Sequence, residues 1–140
     1  MSNTRFTVAI HVVTLLAFCG PEALTSEFIA GSVNTNPVVI RRILAKLRTA
    51  KLVVSQAGPG GGWQLCRESH KISLRDVLIA VDGESAFLLH SAPPNLQCPV
   101  GKMIQSLLTV RFHSAQNAME RDLDRTTVAQ LVKEVQGCSA

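Results

Sequence analysis

A mainly helical chain with one small β-hairpin, a winged helix-turn-helix followed by a long C-terminal dimerisation helix, is the fold class this sequence predicts. Three observations predict it. Asn36-Pro37 opens a 3.6-residue apolar period through Ile40, Ile43, Leu44 and Leu47. Two β-type runs, Leu52–Ser55 and Trp63–Cys66, flank the glycine-rich segment Gly58–Gly62. A second, longer helical period begins at Pro99 with Val100, Met103, Ile104, Leu107, Leu108 and Val110.

Residues 4–18 lack Gly and Pro and are apolar nearly all round, which suits a helix covered on several sides; Gly20-Pro21 ends it. Thr25 or Ser26 can cap a second helix through Ile29, Ala30 and Val33. Asn34-Thr35 makes the turn. Asn36 is a suitable N-cap, and Pro37 occupies the first helical position, where its missing N–H costs nothing. The third helix then runs to about Lys51. Ser73-Leu74-Arg75-Asp76 reads as a capping box, with Asp in the place of Glu, for a fourth helix that stops at Asp82-Gly83. Pro93-Pro94 breaks a linker, the helix from Pro99 reaches about Leu123, and Thr126 or Thr127 caps a last short helix. The expected organisation is a winged helix-turn-helix DNA-binding domain over 1–83, a linker over 84–98, and a dimerisation helix with a short C-terminal helix over 99–140.

Charge is unevenly placed. Residues 1–76 carry nine basic and four acidic side chains, and the remainder five and six, within a net charge of +4. No acidic residue falls between Glu27 and Glu68, whereas Arg41, Arg42, Lys46, Arg48, Lys51 and Arg67 do. A basic helix beside a glycine-rich loop is suited to a polyanion, and double-stranded DNA is the expected partner. Asn36, Val38, Arg41 and Arg42 are positioned to meet base edges from the N-terminal part of the reading helix. Lys46, Arg48 and Lys51 suit phosphates. Thr35, Val39 and the wing residues Gln56, Gly60 and Gly61 complete the candidate DNA-binding set.

The glycine-rich loop is not a nucleotide-binding loop: no Gly-Lys-Ser/Thr follows it, and Trp63 leads into a strand rather than a helix. No Ser/His/Asp set, paired carboxylates or metal-ligand spacing points to an enzyme. A winged module that binds another protein remains the alternative to a DNA reader, as does a regulator controlled by a small-molecule effector or a partner enzyme. Only 17% of residues are charged while 46% are hydrophobic. That balance, with an apolar stripe on the long helix that nothing nearby in sequence covers, predicts a homodimer.

Cys19, Cys66, Cys98 and Cys138 are scattered, with no Cys-x-x-Cys pair. With no signal peptide and an apolar run (Val8 to Phe18) too short to span a bilayer, a cytoplasmic protein with reduced thiols and no membrane partner is expected. Cys98 precedes Pro99, near the N-cap of the long helix, where the dipole and free N–H groups favour a thiolate. It is the first redox candidate and Cys19 the second, as a resolving partner. Cys66 is expected to pack in its strand, and Cys138 lies in the tail.

Residues 25–83 closely resemble the Rrf2 family of bacterial winged-helix transcriptional regulators; GPGGGW followed by ISLRDV is the specific pairing. NPVVIRR and CPVGKMIQ are most similar to its YwnA-like subgroup, which lacks cluster cysteines. The resemblance implies a homodimer with crossing long helices, probing a partly palindromic site. It matches the family's base-reading positions to Asn36, Val38, Arg41 and Arg42. Family members often carry an Arg before the wing glycines for the minor groove, and here that position is Ala57, preceded by Gln56. Cluster-binding members hold iron–sulfur centres on three closely spaced cysteines. This chain has only Cys98 there, with His90 and His113 as poor substitutes, so no cofactor is expected.

Overall fold

The computed structural model describes residues 4–83 and 85–138; the side chain of Cys138 lies outside the described set. Helix α1, Thr4–Cys19, is the centre of the fold. It buries Ala9, Val12, Val13 and Leu16 and is surrounded by α2 (Ser26–Val33), α3 (Pro37–Thr49), α4 (Leu74–Val81) and α6 (Val128–Cys138). These elements share one core, in which Ile29, Ile40, Leu44, Leu47, Ile72, Val77 and Val128 are among the fully buried side chains. Helix α5, Pro99–Leu123, lies outside it and buries none of its 25 residues.

Local chemistry sets each boundary. The Thr25 hydroxyl accepts the Phe28 N–H (3.1 Å) at the start of α2, and Asn34 ends that helix in the left-handed region (φ 63°). Asn36 Oδ1 accepts the Val38 N–H (2.8 Å), with Pro37 in the first turn of α3. At α4, Ser73 and Asp76 exchange both capping-box bonds, so the shorter Asp side chain performs the reciprocal role.

Strands β1 (Val53–Gln56) and β2 (Gly62–Leu65) pair antiparallel, with Ser55 opposite Trp63 and Gln56 opposite Gly62. The hairpin is tied to the body by an additional rung. Trp63 donates its N–H to the Leu24 carbonyl (2.7 Å), and Leu24 donates back to the Trp63 carbonyl (2.9 Å). Gly62 makes this approach possible: it sits at φ +145°, and a Cβ there would lie 2.6 Å from the Leu24 carbonyl oxygen.

A similar rung joins the chain's last helix to the winged domain. Leu74 donates to the Thr126 carbonyl (2.9 Å) and Val128 to that of Ile72 (2.9 Å). In space, therefore, α6 belongs with α1 and the core, although it follows the long helix in sequence. Helix α5 is joined to the body by polar and aromatic contacts: Arg75 Nε to Glu120 (3.3 Å), the Ala86 N–H to Gln116 Oε1 (2.9 Å), and Phe87 stacked on Phe112 at 5.2 Å.

Trp63–Cys66 alternates as the sequence suggests, and the alternation corrects one expectation. Trp63 and Leu65 face the core, so Cys66, one residue past β2, is exposed rather than packed in the strand.

Substituting Gly62→Ala is expected to destabilise the fold by about 1–3 kcal/mol, because it forces both an unfavourable φ and a clash with backbone. Urea unfolding of the two proteins measures it. An unchanged midpoint would mean that the Leu24–Trp63 rung is not maintained in solution.

Candidate nucleic-acid interface

Helix α3 turns Ile40, Ile43, Leu44 and Leu47 into the core. At 100° per residue, the opposite arc carries Val38 and Arg42 along its middle. Arg41 and Arg48, seven residues apart, line one edge, and Val39 and Lys46, also seven apart, line the other. All six side chains are exposed.

The two edge arginines are held by neighbours. Arg41 Nη2 lies 2.6 Å from Glu27 Oε1 on α2. The sequence interval after Glu27 is free of acid, but Glu27 itself reaches across, so the positive charge is not unopposed as the sequence suggests. Both side chains are more than half exposed, and such a pair contributes only about 0–1 kcal/mol, weak enough to exchange for another acceptor. Arg48 places its guanidinium 5.5 Å from the centre of the Trp63 ring. Arg67 is likewise engaged, by Asp76 at 3.5 Å. Between the held arginines, the Arg42 and Lys46 side chains have no hydrogen-bond or ion-pair partner among the described residues.

Asn36 uses its Oδ1 as the helix cap, leaving its amide NH2 for an outside contact. Thr35 is half-buried and donates its N–H to the Ala30 carbonyl (3.0 Å), so it shapes the turn. On the wing, Gln56 and Gly60 are exposed. Gly60 sits at φ +74°, and a Cβ on Gly61 would collide with the Gln56 carbonyl, so the tip folds tightly back on itself. The wing tip and the exposed arc of α3 are thus connected through Trp63. Sequence reading missed Leu24, Glu27 and Trp63 as parts of this arrangement. Their partners are 39, 14 and 15 residues away in the chain, beyond any local spacing signal.

Cys98 occupies the N-cap of α5 with its thiol exposed. The N–H groups of Gly101 and Val100 hold that thiol below its ordinary pKa range. Cys19 is half-buried against the core at the end of α1. Among the described residues no three His, Cys, Asp or Glu side chains come together as a metal site. His113 bonds to Asn117 (3.2 Å), and Cys98 is the only thiol in its segment. The donor set therefore does not fit an iron–sulfur centre. No described helix is long and apolar enough to cross a membrane.

Between α1 and α6 runs an open groove of about 700 Å³, with Ile10, Leu15, Phe18, Leu131 and Val135 among its walls. A hydrogen bond between His11 Nε2 and the Ser32 hydroxyl (2.9 Å) lies at its side.

Comparison with known proteins agrees with this architecture. The profile of the Rrf2 family, described as "Iron-dependent Transcriptional regulator", matches residues 2–134. YwnA of Bacillus subtilis (strain 168), named as an HTH-type transcriptional regulator, is 43% identical over 123 residues, 88% of this chain and 90% of its own length. A crystal structure described as that of a DNA-binding protein superposes with a TM-score of 0.73 at 38% identity, over 91% of this chain and 97% of that one. CymR (YrzC), the global cysteine regulator of B. subtilis, shares the fold at a TM-score of 0.71 and 21% identity, over 96% and 97% of the two chains. These are regulators rather than enzymes, and the chain belongs to the Rrf2 family of transcriptional regulators.

Proposed function

We propose that this protein is a homodimeric, sequence-specific DNA-binding repressor that reads the major groove with α3. The observation that carries the reading is the exposed arc of α3. Two unpaired cations, Arg42 and Lys46, stand there beside two held arginines, next to a glycine-tipped wing. Arg42, central on the arc, is the base reader, able to donate two N–H bonds to guanine O6 and N7. Asn36, Val38 and Val39 flank it, and Lys46 contacts phosphate. Arg41 exchanges Glu27 for a DNA acceptor. Repression follows from occupying a promoter.

Dimerisation is supported by α5. Val100, Met103, Leu107 and Val110 are exposed at spacings of three, four and three, the a/d seam of a coiled coil. Val100 and Val110 are each 67% exposed. Paired protomers present two reading helices to half-sites about one DNA turn, roughly 34 Å, apart.

The signal is thiol chemistry at Cys98. A lowered pKa at an exposed N-cap raises the thiolate fraction, and an adduct there adds bulk at the foot of the dimer helix. A second reading of the signal, a small apolar effector, is favoured by the groove between α1 and α6, whose size suits one.

Three measurements test this function. In fluorescence anisotropy with DNA from upstream of the protein's own gene, Arg42→Ala is expected to lose about 1–3 kcal/mol of specific affinity while remaining dimeric. Equal discrimination between target and scrambled DNA would remove Arg42 from the reader. Light scattering should give twice the 15.1 kDa chain mass, and the chain mass alone for Leu107→Glu; an unaltered mass would move the interface off α5. Iodoacetamide should label Cys98 ahead of exposed Cys66, with a rate that rises through a pH midpoint below that of the unfolded chain. The folded-state pKa is lowered, so the thiolate is present at lower pH in the folded protein. Coincident profiles at the two thiols, or DNA binding indifferent to mild oxidation, would discard the thiol switch in favour of the apolar effector.

A further inference from the structure

We infer that Trp63 is a positioning residue for DNA contact: its indole holds the Arg48 guanidinium at the wing-side edge of α3, ready for a backbone phosphate. The inference rests on the DNA-binding reading above and adds to it a residue that touches no DNA itself.

Trp63 is fixed from several directions. Both of its main-chain groups bond to Leu24. Its strand pairs with β1 through Ser55, and its side chain is half-buried against the core. A ring so placed is a rigid platform. Arg48, by contrast, is a long exposed side chain with many rotamers, and holding it in one orientation before DNA arrives removes that ordering from the binding step.

The chemistry of the contact matters as much as its rigidity. Glu27 engages Arg41 through Nη2, taking up a hydrogen-bond donor and opposing its charge. The indole instead meets Arg48 within cation–π range at 5.5 Å, and Arg48 has no carboxylate partner among the described residues. A guanidinium held by an aromatic ring rather than a carboxylate keeps its N–H donors and its full charge, the combination a phosphodiester oxygen needs. Arg48 is also in the last turn of α3, at the far end from the base-reading residues, where contacts to the DNA backbone are expected. Because Trp63 is part of the wing, the phosphate contact and the wing then engage DNA together.

The test is a double-mutant cycle read by salt dependence. Duplex DNA from upstream of the gene is titrated with the wild-type protein, Trp63→Leu, Trp63→Phe, Arg48→Ala and the Trp63→Leu/Arg48→Ala double variant. Removing one cation from its phosphate should make the slope of log affinity against log salt shallower by about 0.9. Trp63→Leu should lower affinity roughly two- to fivefold, with a shallower slope. Trp63→Phe, which keeps an aromatic face, should restore most of both. Arg48→Ala should add little to Trp63→Leu. Additive losses, or a Trp63→Leu slope equal to wild type, would overturn the inference.

Arg48→Lys keeps the charge without the planar stacking group and leaves the core untouched, so it serves even where Trp63→Leu unfolds. It should bind more weakly than wild type, and equal affinity with an equal slope would overturn the positioning role. Trp63 is the chain's one tryptophan and tyrosine is absent, so its emission should change on adding DNA in wild type and change less in Arg48→Ala. Identical responses in the two proteins would also count against the contact. Wild-type protein that shows no salt-steep binding to duplex DNA would instead overturn the DNA-binding reading and this inference with it.

Discussion

The burial of α1 is the constraint on which the rest of the structure depends. This 16-residue helix is apolar over most of its circumference, with Thr7, His11 and Thr14 on its one polar side, so its neighbours must cover the rest. Helices α2, α3 and α4 and strand β2 do so from the sequence that follows directly, and α6 does so by returning from beyond the long helix. That arrangement uses the apolar faces of the winged domain on itself. Helix α5 takes no part in that core and buries none of its side chains. The seam of Val100, Met103, Leu107 and Val110 is therefore left exposed, and it is the surface on which the proposed dimer pairs.

The reading face follows from the same placement. With Ile40, Ile43, Leu44 and Leu47 committed to the core, the charged positions of α3 have to point outward. Their neighbours then differentiate them. Glu27 restrains Arg41 with a pair weak enough to exchange, and Trp63 supports Arg48 without neutralising it. Arg42, along the middle of the arc, has no partner among the described residues. A row of similar cations becomes three different chemical environments: Glu27 takes a donor of Arg41, the indole leaves the Arg48 donors free, and Arg42 has neither neighbour. Holding the flanking side chains before DNA arrives reduces the ordering that association requires.

Much of the fold was legible in the sequence because its boundary signals are local. Asn36-Pro37 and Ser73 with Asp76 each determine a helix start within four residues, and the apolar periods of α3 and α5 were readable in the same way. Features made by residues far apart in the chain were not legible. The rung between Leu24 and Trp63 joins positions 39 residues apart, and Glu27 meets Arg41 across 14. Neither leaves a periodic trace, so the acid-free stretch after Glu27 gave no sign of its acidic partner. Cys66 was misread for a different reason. Its strand ends one residue earlier than its β-type composition suggests, and the alternation that turns Trp63 and Leu65 inward turns it out.

The way α5 is attached bears on how a signal could travel. The winged domain is held together by buried apolar side chains, whereas α5 meets α4 and the preceding segment through Arg75–Glu120, the Gln116 bond to Ala86 and the Phe87–Phe112 stack. A joint made of a few part-buried or exposed contacts costs less to rearrange than a packed core, because water can replace the polar bonds it loses. Cys98 lies at the start of the same helix, where the chain turns so sharply that a Cβ on Gly101 would strike the Asn95 backbone. An adduct on the exposed thiol would add bulk beside this turn. In the proposed switch that bulk acts on the weaker joint with α4 and so on the angle between the dimer seam and the reading helix. In the proposed dimer that angle sets the separation of the two readers, so a modification at the foot of α5 would act on operator spacing without touching any residue that meets DNA.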